Sequence, residues 1–121
     1  MIGLGIDICQ VERIQKALQK GEGFLKRYYT EEERAYLSTR KDGQSAAGMF
    51  AAKEAFLKAL GVGLSGGVAL KDIGVTHDTY GCPSYALSQK AADAMANKGA
   101  HTPLLSISHD AGVAVAVCAL E

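Results

Sequence analysis

Three features of the 121-residue chain predict an α+β fold. Branched apolar runs stand at both ends, Ile2 to Ile8 and Val113 to Leu120, and read as strands. Between them lie segments of helical periodicity with recognisable caps, the longest ending at Gly61. Two short strand-like runs, Ile73–His77 and Ser84–Leu87, flank a turn-rich segment from Asp78 to Pro83 and read as a hairpin. With 48% hydrophobic and 21% charged residues the chain fits one globular domain, residues 1–121, with a modest core that oligomerisation would help.

Charge and composition exclude several classes. Thirteen basic residues balance thirteen acidic ones, so the basic footprint of a general nucleic-acid binder is missing. No apolar run is long enough to span a membrane, and the first residues lack the basic start of a signal peptide. Cys9, Cys82 and Cys118 show no C-x-x-C spacing and read as buried free thiols of a reducing cytoplasm.

In the first strand, Gly3 and Gly5 let another element approach the backbone closely. Asp7 interrupts this apolar run between Ile6 and Ile8. A buried carboxylate is costly unless paired or bound to metal. Asp7 is therefore either a strand-end cap of the next turn or a ligand for a hard cation, and both readings stand. A helix follows over Val11 to Lys20, with Val11, Ile14 and Leu18 as its apolar stripe and Arg13, Lys16 and Lys20 on an adjacent face. Gly21 and Gly23 end it. Residues 11–41 hold eight Lys and Arg against five Glu, an excess of three positive charges. This is either a solvated face or a docking stripe for an acidic partner. Thr30 and Glu33 form a capping box for a short helix to Leu37, and the carboxylates of Glu31 to Glu33 read as structural.

After a polar loop from Arg40 to Gln44, Ser45 is expected to cap the central helix, which runs to Leu60. Met49, Phe50, Phe56, Leu57 and Leu60 share one broad face, and Lys53 projects from within that apolar sector. Ala51, Ala52, Ala55 and Ala59 leave a methyl-only side that a backbone or a ligand can approach. Glu54 sits at the edge of the apolar face with Lys58 one turn further on. Such a pair is commonly a solvated one; bulky neighbours and the alanine surface favour chemistry instead. The following Gly61–Gly67 segment matches G-x-G-x-x-G, but it leaves a helix and enters strands, so it reads as a connector and not a dinucleotide fingerprint.

Beyond the hairpin, Ser88 caps a helix over Gln89 to Asn97, closed by Gly99. Leu104 to Ser108 forms a strand, His109 to Gly112 a tight turn, and Val113 to Leu120 a strand apolar on both faces, placed centrally or in a subunit interface. On that turn His109 and Asp110 are either functional or an Asx-type turn with an incidental His. No role is assigned to His77 or His101.

Asp7 and Glu54 together suit Mg²⁺, which takes a few protein oxygens and completes its shell with water and phosphate. Lys58 can neutralise charge on a phosphate or leaving group, and His109 can hold another phosphate or a hydroxyl. A carboxylate pair with a lysine points to phosphoryl-type chemistry on a pyrophosphate.

Gly5-Ile6-Asp7, then Phe50-Ala51-Ala52-Lys53-Glu54-Ala55 with Lys58, then Ser106-Ile107-Ser108-His109 resemble the holo-acyl-carrier-protein synthases, the small bacterial phosphopantetheinyl transferases, over essentially the whole chain. The resemblance implies that family's fold, a mostly antiparallel sheet with helices packed on it. It implies Mg²⁺-dependent transfer of phosphopantetheine from coenzyme A to a serine of apo acyl carrier protein, releasing 3′,5′-ADP. By the same resemblance Asp7 and Glu54 bind Mg²⁺, Glu54 helps deprotonate the serine, and Lys58 stabilises the leaving phosphate. His109 contacts the nucleotide end, and Lys53, Ser108 and Pro83 join the substrate-binding residues. Arg13 and its helix dock the carrier protein, and the protein forms a homotrimer with sites shared between subunits. Where many such proteins carry Arg before the Phe and Lys in the hairpin turn, this chain has Met49 and Cys82; Arg40 or Lys41 can replace the missing charge. A different Mg²⁺-dependent phosphoesterase and a non-catalytic trimeric binding module are the competing readings.

Overall fold

A computed structural model describes residues 1–61 and 66–121. The elements run β1 (Gly3–Gln10), α1 (Val11–Gln19), α2 (Gly23–Tyr28), α3 (Glu31–Leu37), α4 (Gln44–Leu60), β2 (Ile73–His77), β3 (Pro83–Leu87), α5 (Gln89–Asn97), β4 (Pro103–Asp110) and β5 (Val113–Leu120). A three-stranded antiparallel sheet has the order β1-β5-β4, and β2 and β3 form a separate antiparallel pair. The expected α+β class and antiparallel pairing are therefore present. The last strand is central, as its apolar run demanded.

Helix α4 lies across one face of this sheet, and glycine permits the contact. A Cβ on Gly5 would stand 2.0 Å from the carbonyl oxygen of Ala55, and one on Gly3 would stand 2.2 Å from that of Ala59. Alanines 55 and 59 and the buried Ala114 and Ala116 of β5 complete the contact. The methyl-only side of the helix thus meets strand backbone and small residues. At its other end Gly48 faces Ile107 and His109 of β4, so the helix runs obliquely from β4 to β1.

Several expected boundaries differ. The segment after Gly21 forms α2, whose six residues are too few to show periodicity. Helix α4 begins at Gln44 with Gly43 as its cap, in a left-handed conformation (φ 83°) that a side chain would strain. Asp42 Oδ1 accepts the Gln44 N–H at 3.0 Å, so Ser45 is not the cap. At the other end the Gly61 N–H bonds back to Leu57 and Lys58 carbonyls, as expected of a glycine stop. His109 and Asp110 belong to β4, paired with Ala114 and Val113, and the turn shrinks to Ala111-Gly112 with both φ positive. That two-residue geometry matches the twist of the strands it joins. Of the glycine-rich connector, residues 62–65 lie outside the described residues.

Lys53 has no exposed surface. Its ammonium donates to Glu33 Oε1 (2.6 Å), Ile73 O (2.8 Å) and Leu70 O (3.2 Å), using its three protons. Glu33 Oε1 also accepts the Thr30 N–H at 2.8 Å, and Oε2 accepts the Val75 N–H at 3.0 Å. The predicted capping box is present. One buried ion pair therefore ties the start of α3, the middle of α4 and strand β2 together. Burial lowers the Lys53 pKa and the Glu33 charge opposes that shift. The expectation that Lys53 binds substrate is corrected: its charge is enclosed and fully used within the core.

Breaking a buried pair leaves an uncompensated charge. Lys53→Met should cost about 3–5 kcal/mol in denaturant unfolding, and adding Glu33→Gln should recover part of it. A loss below about 1 kcal/mol would show that Lys53 does not hold these elements together.

Candidate active site

The close seating of β1 on α4 brings Asp7 to the helix. Lys58 Nζ donates to Asp7 Oδ1 at 3.0 Å and to the Ile6 carbonyl at 3.1 Å. Asp7 is therefore no turn cap; it faces the helix on the same side of β1 as Gly5 and Cys9. Glu54, one turn before Lys58, is partly buried. Its pKa is pushed up first by burial and then by the Asp7 charge, while Lys58 and Arg13 oppose the shift. Arg13 acts electrostatically on both Glu54 and the buried thiol of Cys9. The structure therefore brings together Asp7, Glu54 and Lys58, the set the sequence singled out; Arg13, expected on a docking stripe, also lies within electrostatic range of Glu54.

No group of three or more metal-ligating side chains occurs among the described residues. Asp7 and Glu54 instead supply two hard oxygen ligands beside each other. That is the donor set of a cation which keeps water or substrate oxygens in the rest of its shell. Burial and then the Asp7 charge raise the Glu54 pKa, and such a cation would offset both by pairing with the ionised carboxylate. The residues fit Mg²⁺.

A second cluster lies at the start of α4. His109, Pro83, Ser45, Tyr36 and His77 line a cavity of about 250 Å³. His109 Nε2 lies 3.1 Å from the Gln44 carbonyl oxygen. A Cβ at Gly48 would come within 2.9 Å of that same Nε2, so glycine makes room for the imidazole. The His77 ring lies flat on Tyr36, with centroids 4.3 Å apart and planes 3° apart. The Arg40 guanidinium sits 3.8 Å from the Tyr36 centroid, which places it on the opposite face of that ring. His77 Nδ1 is buried with no hydrogen-bond partner among the described residues. Burial and the Arg40 charge both lower the His77 pKa. Sequence analysis did not place Tyr36 here, read Ser45 only as a helix cap and gave His77 no role.

The two clusters lie on the same face of the sheet. Asp7 on β1 and His109 on β4 flank β5, about 10 Å apart across the strands. Ser108 is not with them: its neighbour in register is Val115, and its side chain points to the opposite sheet face. Met49 is 1% exposed and fills core. Cys9 and Cys118 are buried as expected, but Cys82 is exposed, because it sits in the hairpin turn, where Asp78 Oδ1 accepts its N–H at 2.9 Å.

Residues 3–118 match the sequence profile of the 4′-phosphopantetheinyl transferase superfamily. The chain is 43% identical to a holo-[acyl-carrier-protein] synthase of Geobacter sp. (strain M21), over 98% of this chain and 97% of the relative. It superposes on the Neisseria meningitidis holo-[acyl-carrier-protein] synthase with a TM-score of 0.90 at 32% identity, covering 100% of this chain and 98% of the other. The Helicobacter pylori holo-[acyl-carrier-protein] synthase, solved in complex with coenzyme A, gives 0.84 at 34% identity, with 98% and 99% covered.

The raised Glu54 pKa has a thermodynamic consequence. The folded chain holds the Glu54 proton more tightly than the unfolded chain does. That stabilisation is complete below the unfolded carboxyl pKa, about 4.3, and is lost as pH rises through the higher folded value. Glu54→Gln should therefore raise the Tm of the ligand-free protein at about pH 7, and the gain should fade toward about pH 4. A lower Tm at neutral pH would show that the ionised carboxylate is stabilised in the apo fold.

Proposed function

The chain belongs to the 4′-phosphopantetheinyl transferase superfamily, and on that premise we propose that it transfers phosphopantetheine from coenzyme A to a serine of an apo acyl carrier protein. The observation that carries this reading is the Asp7–Glu54–Lys58 cluster on β1 and α4. In the reaction the serine Oγ forms a bond to the phosphorus next to the pantetheine arm. The bond from that phosphorus to the bridging oxygen of the pyrophosphate breaks, and 3′,5′-ADP leaves. Glu54, or a water it holds, accepts the serine proton. Lys58 faces the charge that grows on the leaving phosphate. Asp7 and Glu54 would hold Mg²⁺, which when bound neutralises and orients the pyrophosphate.

The cavity of His109 and Pro83 serves the nucleotide end of coenzyme A in this reading. Arg40, stacked on the Tyr36 ring that lines that cavity, supplies the cation that Met49 and Cys82 do not. Arg13 and the exposed basic side of α1 receive the acidic carrier protein, in keeping with the local excess of positive charge. Three free thiols suit a reducing cytoplasm.

The sheet has a second face, opposite α4, and in one chain it is open. Leu4, Ile6 and Ile8 of β1 are about 60% exposed there (60%, 59% and 64%), next to half-buried Val113, Val115 and Val117. A contiguous apolar patch of this kind marks an interaction surface. It supports burial of this face against another copy, as in the homotrimer with shared sites that the family resemblance implies. Ser108 lies on this face and meets substrate only in such an assembly.

Incubation of an apo acyl carrier protein with this protein, coenzyme A and Mg²⁺ should add one phosphopantetheine mass to the carrier, read by intact mass spectrometry. EDTA should abolish the gain, and Glu54→Gln should slow it by at least about 10²-fold. Consumption of coenzyme A with no change in the carrier would favour a hydrolase instead. Arg13→Glu should raise the KM for carrier protein about tenfold while coenzyme A binding changes little; equal damage to both would remove the docking role. Ile6→Glu should shift the protein to monomer in sedimentation and reduce transfer with it. An unchanged sedimentation coefficient would remove the sheet face as the interface.

A further inference from the structure

One wall of the cavity at the start of α4 contains a polar atom that the fold leaves unpaired. His77, the last residue of β2, lines this cavity with Pro83, Gly48, Gly81 and Ile107. Its Nδ1 is the only buried side-chain nitrogen or oxygen without a hydrogen-bond partner among the described residues. Enclosing such an atom is costly. Nε2 is not enclosed, and no hydrogen bond holds it among those residues. Burial first, and then the Arg40 charge, lower the His77 pKa against the pull of Glu33 and Asp78, so the ring is neutral at neutral pH. A neutral imidazole carries one proton. On Nδ1 that proton would be enclosed with no acceptor; on Nε2 it can meet solvent or a ligand. The proton therefore sits on Nε2, and His77 presents an uncharged N–H donor to the cavity.

This donor is fixed in place. Tyr36 lies flat on the His77 ring with centroids 4.3 Å apart, and Arg40 covers the far face of Tyr36 at 3.8 Å. Across the hairpin His77 stands in register with Pro83. A side chain already held loses little freedom on binding. What it can bind follows from the walls. Pro83, Ile107, Gly48 and Gly81 offer no charge. At about 250 Å³ the cavity falls below the roughly 300–1,000 Å³ of a site for a whole small ligand, and so takes one ring system of it. Arg40 stands behind Tyr36, outside this lining, so the phosphates belong outside the cavity and the base within it. An uncharged N–H between apolar walls suits an unprotonated ring nitrogen of a purine. We infer that His77 is a specificity-determining residue: its Nε2–H donates to a ring nitrogen of the coenzyme A adenine, an assignment that rests on the proposed use of coenzyme A.

The test reads binding and not transfer. 3′,5′-ADP and ribose 3,5-bisphosphate, which carries two phosphates but no base, are titrated calorimetrically into the full chain. His77→Phe keeps a ring on Tyr36 and removes both nitrogens. It should weaken 3′,5′-ADP about tenfold and leave the abasic sugar unchanged. Its Tm should not fall, because the unpartnered Nδ1 goes with the substitution. His77→Gln, which returns an N–H near the position of Nε2, should bind 3′,5′-ADP more tightly than His77→Phe does; the reverse order would overturn the proposal. Equal weakening of both ligands would overturn it by assigning His77 to the phosphates or to the fold. Unchanged 3′,5′-ADP affinity in His77→Phe would overturn it and leave the coenzyme A reading standing. Failure of the unsubstituted protein to bind 3′,5′-ADP would overturn both.

Discussion

Direct contact between two backbones sets the geometry of this protein. Strand β1 offers Gly3 and Gly5 where any side chain would strike the carbonyls of Ala59 and Ala55. Helix α4 answers with alanines. The result seats a helix on an edge strand more closely than ordinary side chains allow. Asp7, two residues beyond Gly5, then reaches Lys58 directly and lies within electrostatic range of Glu54. Larger residues at these glycines would push the helix away and separate the carboxylates, whatever their own chemistry.

A second constraint sets the rotation of that helix. Adjacent residues differ by about 100° around a helix axis, so Lys53 and Glu54 must face different surroundings. Lys53 turns into the core, where Glu33 and two carbonyls consume its protons. Glu54 then faces β1. The buried pair is costly to desolvate and is compensated only because Glu33 also caps α3 and receives the Val75 N–H. A group that carries no substrate thus orients one that does in the proposed reaction.

The core around α4 leaves one sheet face uncovered. The alternation along β5 buries Ala114, Ala116, Cys118 and Leu120 under the helix and leaves the valines between them half-open. In the proposed assembly, copies would bury that face and bring Ser108 near substrate.

The sequence by itself determined the α+β class, the central helix with its glycine stop, the Thr30–Glu33 capping box and the candidate set Asp7, Glu54 and Lys58. These are legible because they rest on local rules: periodicity, cap chemistry, and the oddity of a carboxylate within an apolar strand. Helix α2 was not legible, because six residues are too short for a period. Lys53 was misread because local pattern placed it in the apolar sector but could not supply Glu33, twenty residues away, as its partner. The stack of Arg40, Tyr36 and His77 draws on separate segments and has no sequence signature. Ser108 and His109 are adjacent in sequence, yet the pleat sends them to opposite faces. Tertiary structure decided which charges are enclosed and which face a cavity, because that depends on burial and on partners distant in the chain.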